Sequence, residues 1–240
     1  VSFGMHVQGS DAAVDQTLIQ DIAPSTVEKR WGHGIEVVDG GISSAGASLF
    51  VGSSVIERST DVGLANAGGE MTVQNVVVRD VAPRAADGSS GQGIGIQRAT
   101  YPALGYVRDS LVEGVNTGGI IFFDGSGSVE RTTVRGVVAD GSGAYGDGIA
   151  VVFGQGVTIA DVRIEDASRA GVAAFSADVG IQDSTIACNP IALTTQDLLG
   201  KATMENLGGN DCSCGGDDTV CKVISSELSP PTPSDFASEL

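Results

Sequence analysis

VQNVVVRDV (73–81), VRDSLVEGV (107–115) and VERTTVRGV (129–137) are three copies of one nine-residue phrase. Four more copies begin at Val14, Val51, Ile159 and Ile181. The first place is always Val or Ile. The sixth is always β-branched and apolar: Ile19, Ile56, Val78, Val112, Val134, Ile164, Ile186. The third is polar: Gln16, Ser53, Asn75, Asp109, Arg131, Asp161, Asp183. β-Branched residues favour extended backbone, and a short polar residue between them favours a bend.

A second phrase alternates with the first. It opens at Gly34, Gly63, Gly93, Gly119, Gly148 and Gly171, with Pro190 in the seventh place, and an aliphatic residue always follows. The residue two further on is generally apolar as well, as in Val37, Ile96, Phe122 and Val151. That alternation marks a strand with one face inward. Two short strands in as few as 22 residues, without helical periodicity, describe one turn of a β-solenoid with three strands and three bends.

On these two phrases the chain resembles the right-handed parallel β-helix repeat proteins, the pectin-lyase-like superfamily, over residues 1–195. The resemblance implies an all-β, single-stranded right-handed parallel β-helix of about seven coils, with a disulfide-stapled C-terminal cap. It says little about function, because that fold hosts lyases, hydrolases, epimerases, adhesins and tailspikes. The expected organisation is a β-helix over 1–198, a Cys-containing cap over 199–228 and a Pro/Ser-rich tail over 229–240.

Composition narrows the function classes. Of 240 residues, 35 are Gly, and 13 Lys+Arg stand against 30 Asp+Glu for a net charge of −17. No basic footprint for nucleic acid exists, and no apolar run spans a membrane. All four cysteines, Cys188, Cys212, Cys214 and Cys221, lie in the last quarter. Cys212 and Cys214 are too close to pair, so each is expected to bond Cys188 or Cys221. A zinc site and free thiols are the alternatives, but there is no CxxC pair, and His6 and His33 are far away in sequence. An acidic, Lys-poor chain with paired cysteines suits a secreted or cell-surface protein. No leader and no initiating Met opens the sequence, which reads as a mature product or an excised piece. Val1–Val7 already alternates like a strand within a coil, so the expectation is the C-terminal portion of a longer β-helix.

The nine-residue phrases start at intervals of 37, 22, 34, 22, 30 and 22 residues. Long and short coils therefore alternate, and the surplus forms three loops at one corner: Ala23–His33, Ala82–Gln92 and Val138–Asp147. The seventh places read Gln20, Glu57, Arg79, Glu113, Arg135, Glu165 and Ala187, a charge ladder that fixes register. Outward places of the glycine-led strands read Glu36, Ala65, Gly95, Ile121, Ala150, Ala173 and Ala192, then Val38, Ala67, Gln97, Phe123, Val152, Phe175 and Thr194.

In polysaccharide lyases of the superfamily, the resemblance places catalytic acids, metal ligands and a basic residue around this sheet's exterior. Here the exterior is small or apolar apart from Glu36 and Gln97, a poor floor for proton abstraction. It suits coverage by the chain's own loops or tail, or docking of a polysaccharide or another protein chain on Ile121, Phe123, Val152 and Phe175.

Gly32-His33-Gly34 is similar to the Gly-His-Gly motif of the polygalacturonase family. The upstream acidic pair and the downstream Arg-x-Lys of that family are missing, so no catalytic residue is assigned. Arg30, Trp31, His33, Arg84, Tyr145 and Asp147 on the long loops are the candidate ligand-binding residues, since an aromatic ring beside cations can hold an acidic sugar. No cofactor is called for. Calcium is the one ion the acidic glycine turns could take, at Asp140 and Asp147, with Asn210-Asp211 and Asp217-Asp218 flanking the cysteines. The expected function is an extracellular or cell-surface β-helix module with a structural, adhesive or assembly role and glycan affinity. The alternative is a polysaccharide lyase or hydrolase of the pectin-lyase-like type.

Overall fold

The computed structural model describes residues 2–27, 29–41, 46–214, 221–225 and 227–234. Among these, every regular element apart from isolated turns is a strand, and the strands form three all-parallel sheets of nine, eight and seven members. Each coil contributes one strand to each sheet in turn. The glycine-led strands, from Phe3–Gln8 and His33–Val38 to Ile191–Gln196 and Val223–Ser225, make the nine-stranded sheet. The first half of each nine-residue phrase belongs to the eight-stranded sheet and its second half to the seven-stranded sheet. The β-helix expected from the two phrases is the observed architecture.

The corners follow from local chemistry. All seven third-place residues have a left-handed backbone, from φ 44° at Ser53 and Arg131 to 55° at Asn75. A second left-handed corner, not anticipated, lies at the eighth place: Asp21, Arg58, Asp80, Gly114, Gly136, Asp166 and Cys188. Short polar side chains and Gly accept this region at least strain, which explains most of these occupants. The glycine opening each strand answers a different constraint. A Cβ on Gly34 would stand 2.4 Å from Ile56 Cγ2 and 2.5 Å from the Gly63 carbonyl oxygen, and Gly93 is squeezed in the same way by Val112 and Gly119. The sixth-place side chain and the next coil together leave no room there.

The Pro190 assignment is corrected. Leu193 pairs with Val172 and Thr194 with Ala173, so Ala192 stands over Gly171 in the glycine place. The outward residues of that strand are thus Thr194 and Gln196 rather than Ala192 and Thr194. A proline could not donate to the ladder at that point, and Ile191 opens the strand with its N–H on the Arg169 carbonyl.

Inward residues stack coil on coil. Ile35, Leu64, Ile94, Ile120, Ile149 and Val172 form one fully buried column, with Phe122 and Met71 among the largest fully buried side chains. Each such side chain contributes roughly 1.5–3 kcal/mol of burial. On the seven-stranded sheet the ladder register is as expected, but its ions associate in pairs. Arg79 bonds Glu57, Arg135 bonds Glu113, and Glu165 turns instead to Arg163 of its own strand. At the C-terminal end, Cys188–Cys214 and Cys212–Cys221 are disulfide-bonded. Strands Thr203–Gly208 and Val223–Ser225 continue two of the sheets beyond residue 198.

Candidate functional site

The outer face of the nine-stranded sheet carries buried polar and ionisable side chains, among them His33, Glu36, Gln92 and Asp147. Three rows point outward, led by the residue just before each glycine. Where a long loop returns to the sheet, one motif recurs: Trp31-Gly32-His33-Gly34, Ser90-Gly91-Gln92-Gly93 and Tyr145-Gly146-Asp147-Gly148. Trp31, Ser90 and Tyr145 are all left-handed, at φ 60°, 63° and 66°. The third residue of each motif is buried: His33 and Asp147 fully, Gln92 at 3% exposure.

Two of these buried groups meet an opposite charge on the next coil. His33 Nε2 lies 3.4 Å from Asp61 Oδ2, and its Nδ1 lies 3.5 Å from Glu36 Oε2. His6 Nδ1 approaches the same Glu36 oxygen at 3.4 Å. Phe3 closes the cluster, its ring 5.3, 5.6 and 5.9 Å from those of His6, His33 and Trp31. Burial is the largest single influence on His33 and pushes its pKa down. Hydrogen bonds with Asp61 and Glu36, and their charges, outweigh it and hold the imidazole up at about 9. Glu36 and Asp61 are themselves fully buried.

The second pair reverses the signs. Asp147 is held by Arg169 through Nε at 2.8 Å and through Nη2. Burial pushes the Asp147 carboxyl up, and Arg169 only partly counters it. Arg169 also donates to the Ser229 carbonyl at 2.8 Å and stacks 5.2 Å from the Tyr145 ring.

The chain's own C-terminal stretch crosses this face. Leu228 packs against the group formed by Val152, Ala173 and Phe175 with Phe123 and Phe153. Ser234 then exchanges two hydrogen bonds with the Gln97 side chain, beside Ile121 and Phe123. Ile121, Val152 and Phe175 are consequently buried and Phe123 half-buried. The strip expected to be covered or docked on is covered by residues 228–234.

The loop candidates do not converge on one pocket. Trp31 joins His33, and Tyr145 joins Asp147 through Arg169. Arg30 is exposed on its loop. Arg84 bonds Asp87 and Ser89 of its own loop. Asp140 accepts from Ser142 and Ala144 in its own turn, while Asp147 faces Arg169. No group of three or more His, Cys, Asp or Glu side chains among the described residues is arranged to hold a metal ion. Asp217 and Asp218 lie outside the described residues. His6, Asp61 and Arg169 were not singled out from sequence. For Asp61 and Arg169 the signal is the repeated X-Gly-(His/Gln/Asp)-Gly motif, because a buried ionisable His33 or Asp147 demands a partner on the following coil; nothing in the motif marks His6.

No protein-family model and no curated protein sequence matches the chain. Solved structures do. The crystal structure of the periplasmic alginate epimerase AlgG superposes with a TM-score of 0.54 at 9% identity, over 92% of this chain and 60% of that one. Pectate lyase Pel9A gives 0.52 at 14%, over 90% and 62%. The catalytic unit of the thermostable GH87 alpha-1,3-glucanase from Streptomyces thermodiastaticus strain HF3-3 gives 0.51 at 14%, over 96% and 47%. The chain is a parallel β-helix. This parallel β-helix spans roughly half to three-fifths of the length of those structures, and identities this low carry the fold alone. No helix among its described residues is long and apolar enough to cross a membrane.

Proposed function

We propose that this chain is a non-catalytic β-helix module of the extracellular space, a rigid surface for adhesion or assembly with affinity for glycan. One observation carries the reading. The place of His33 in the motif is filled by Gln92 and Asp147 on the other long coils, each buried where a loop rejoins the sheet. A position that accepts an imidazole, an amide and a carboxylate closes a coil; it does not serve one acid–base step. Coverage of the sheet exterior by residues 228–234 supports the same conclusion. The two disulfides support an exported location, and the AlgG epimerase that shares the fold is periplasmic.

A second reading has its own support. Among the described residues, Trp31 Nε1, His6 Nε2 and Asp61 Oδ1 are buried atoms without a hydrogen-bond partner, and all three belong to the cluster around His33. Such atoms, beside a histidine with a displaced pKa, also characterise active sites. The epimerase, lyase and glucanase named above make a polysaccharide-acting enzyme the alternative. Incubating the intact chain with acidic, neutral and cationic polysaccharides, with and without calcium, separates the two. Retention on a glycan without new reducing ends or unsaturated products is expected. Turnover by the intact chain would overturn the non-catalytic reading.

A further inference from the structure

The eight-stranded sheet exposes aromatic side chains on its outer face. Its central outward row runs Ala13, Phe50, Thr72, Tyr106, Ser128 and Thr158, each paired in register with the next. Phe50 and Tyr106 are each 37% exposed and flank Thr72, so their Cα atoms stand two strand spacings, about 10 Å, apart. Gly52 makes room for the Phe50 ring to lie along its strand: a Cβ there would be 2.7 Å from Cε1 and 2.8 Å from Cζ. Glu70 lies on the strand of Thr72, two residues away on the same face and exposed, so its coil stands between those of Phe50 and Tyr106 and it is level with Ser48 and Leu104. It also lines a cavity of about 270 Å³ with Ser48, Tyr101 and Leu104 at the edge of the sheet.

Charge on this face has one dominant sign. The flanking outward rows hold Asp11, Asp15, Glu70, Glu130 and Asp178 against Arg108, which bonds Gln74. An anionic polysaccharide is repelled here, and a cationic one attracted. Two rings a two-coil step apart match the two-sugar repeat of an extended β-1,4-linked chain, which presents the same ring face every second residue.

Resting on the non-catalytic, glycan-binding reading, we propose that this face binds a cationic β-1,4-linked amino-sugar polymer. Alternate sugars stack on Phe50 and Tyr106, and an intervening ammonium pairs with Glu70. Stacking supplies affinity and the carboxylates select the amine.

Calorimetric titration of the intact chain with fully deacetylated β-1,4-glucosamine hexamer tests this, beside the N-acetylated hexamer and cellohexaose. The deacetylated hexamer is expected to bind at least tenfold more tightly than the other two. The Phe50→Ala/Tyr106→Ala variant should lose at least tenfold, and Glu70→Gln several-fold, with each variant keeping a single cooperative melting transition well above the assay temperature. No binding of the amine hexamer, equal binding of the three oligomers, or binding unchanged in the ring variant would each overturn the proposal. Product formation from the hexamer, read by mass spectrometry in the same samples, would instead strike at the non-catalytic reading.

Discussion

Removal of Arg169 should be among the most damaging single changes available outside the core. Asp147 is fully buried and the Arg169 side chain only 15% exposed. Burial already holds the Asp147 carboxyl above its usual range despite the guanidinium. Arg169→Met would leave that carboxylate uncompensated, which costs about 3–5 kcal/mol for a buried pair broken on one side. At roughly 2–4 °C per kcal/mol for a chain of this size, the melting temperature should fall by about 6–20 °C. The surface pair offers the control: Arg135→Met, whose bond to Glu113 is solvent-exposed, should cost below about 1 kcal/mol. The double variant Asp147→Val/Arg169→Met should recover most of the loss, because replacing both charges with apolar groups is often neutral. Val62 shows that valine fits this row. Calorimetric melting of the four proteins decides the matter. Equal effects of Arg169→Met and Arg135→Met, or a double variant no better than the single one, would refute the account of the buried pair.

Three further outcomes are expected. His33 has a folded-state pKa near 9, above its unfolded value of about 6.5, so its ion-pair stability is complete below that lower value and is lost as pH rises through 9. The urea midpoint of the wild type should therefore fall between pH 7 and 10 more steeply than that of His33→Gln, and superimposable profiles would contradict it. Opening Cys188–Cys214 with Cys188→Ser/Cys214→Ser releases a 26-residue separation and should cost about 3–4 kcal/mol by loop entropy, read from urea denaturation. Gly93→Ala places a Cβ 2.4 Å from Val112 Cγ1 and 2.5 Å from the Gly119 carbonyl, and should cost about 1–3 kcal/mol; a melting temperature within error of wild type would show that the coil can relax.

The fold was legible because every coil rewrites the same two phrases. Sixth-place residues such as Ile56 and Val78 must fill one corner, and the third-place Asn75 or Asp109 must turn the next. The last glycine-led strand was misread because Ala192 replaces glycine and Pro190 imitates a breaker two residues too early. The His33–Asp61 and Asp147–Arg169 pairs stayed hidden for another reason. They join coils of unequal length, at separations of 28 and 22 residues, so no fixed spacing announces them. The path of residues 228–234 over Phe175 and Gln97 depends on shape, which composition does not encode.

The central claim is that His33 closes a coil rather than cleaving a glycan. Its most direct test is product formation from the polysaccharide panel by the wild type and by His33→Gln, with thermal melting of both. The account predicts no product from either protein and a single, lowered melting transition for the variant. Product from the wild type that disappears in a folded His33→Gln would contradict it.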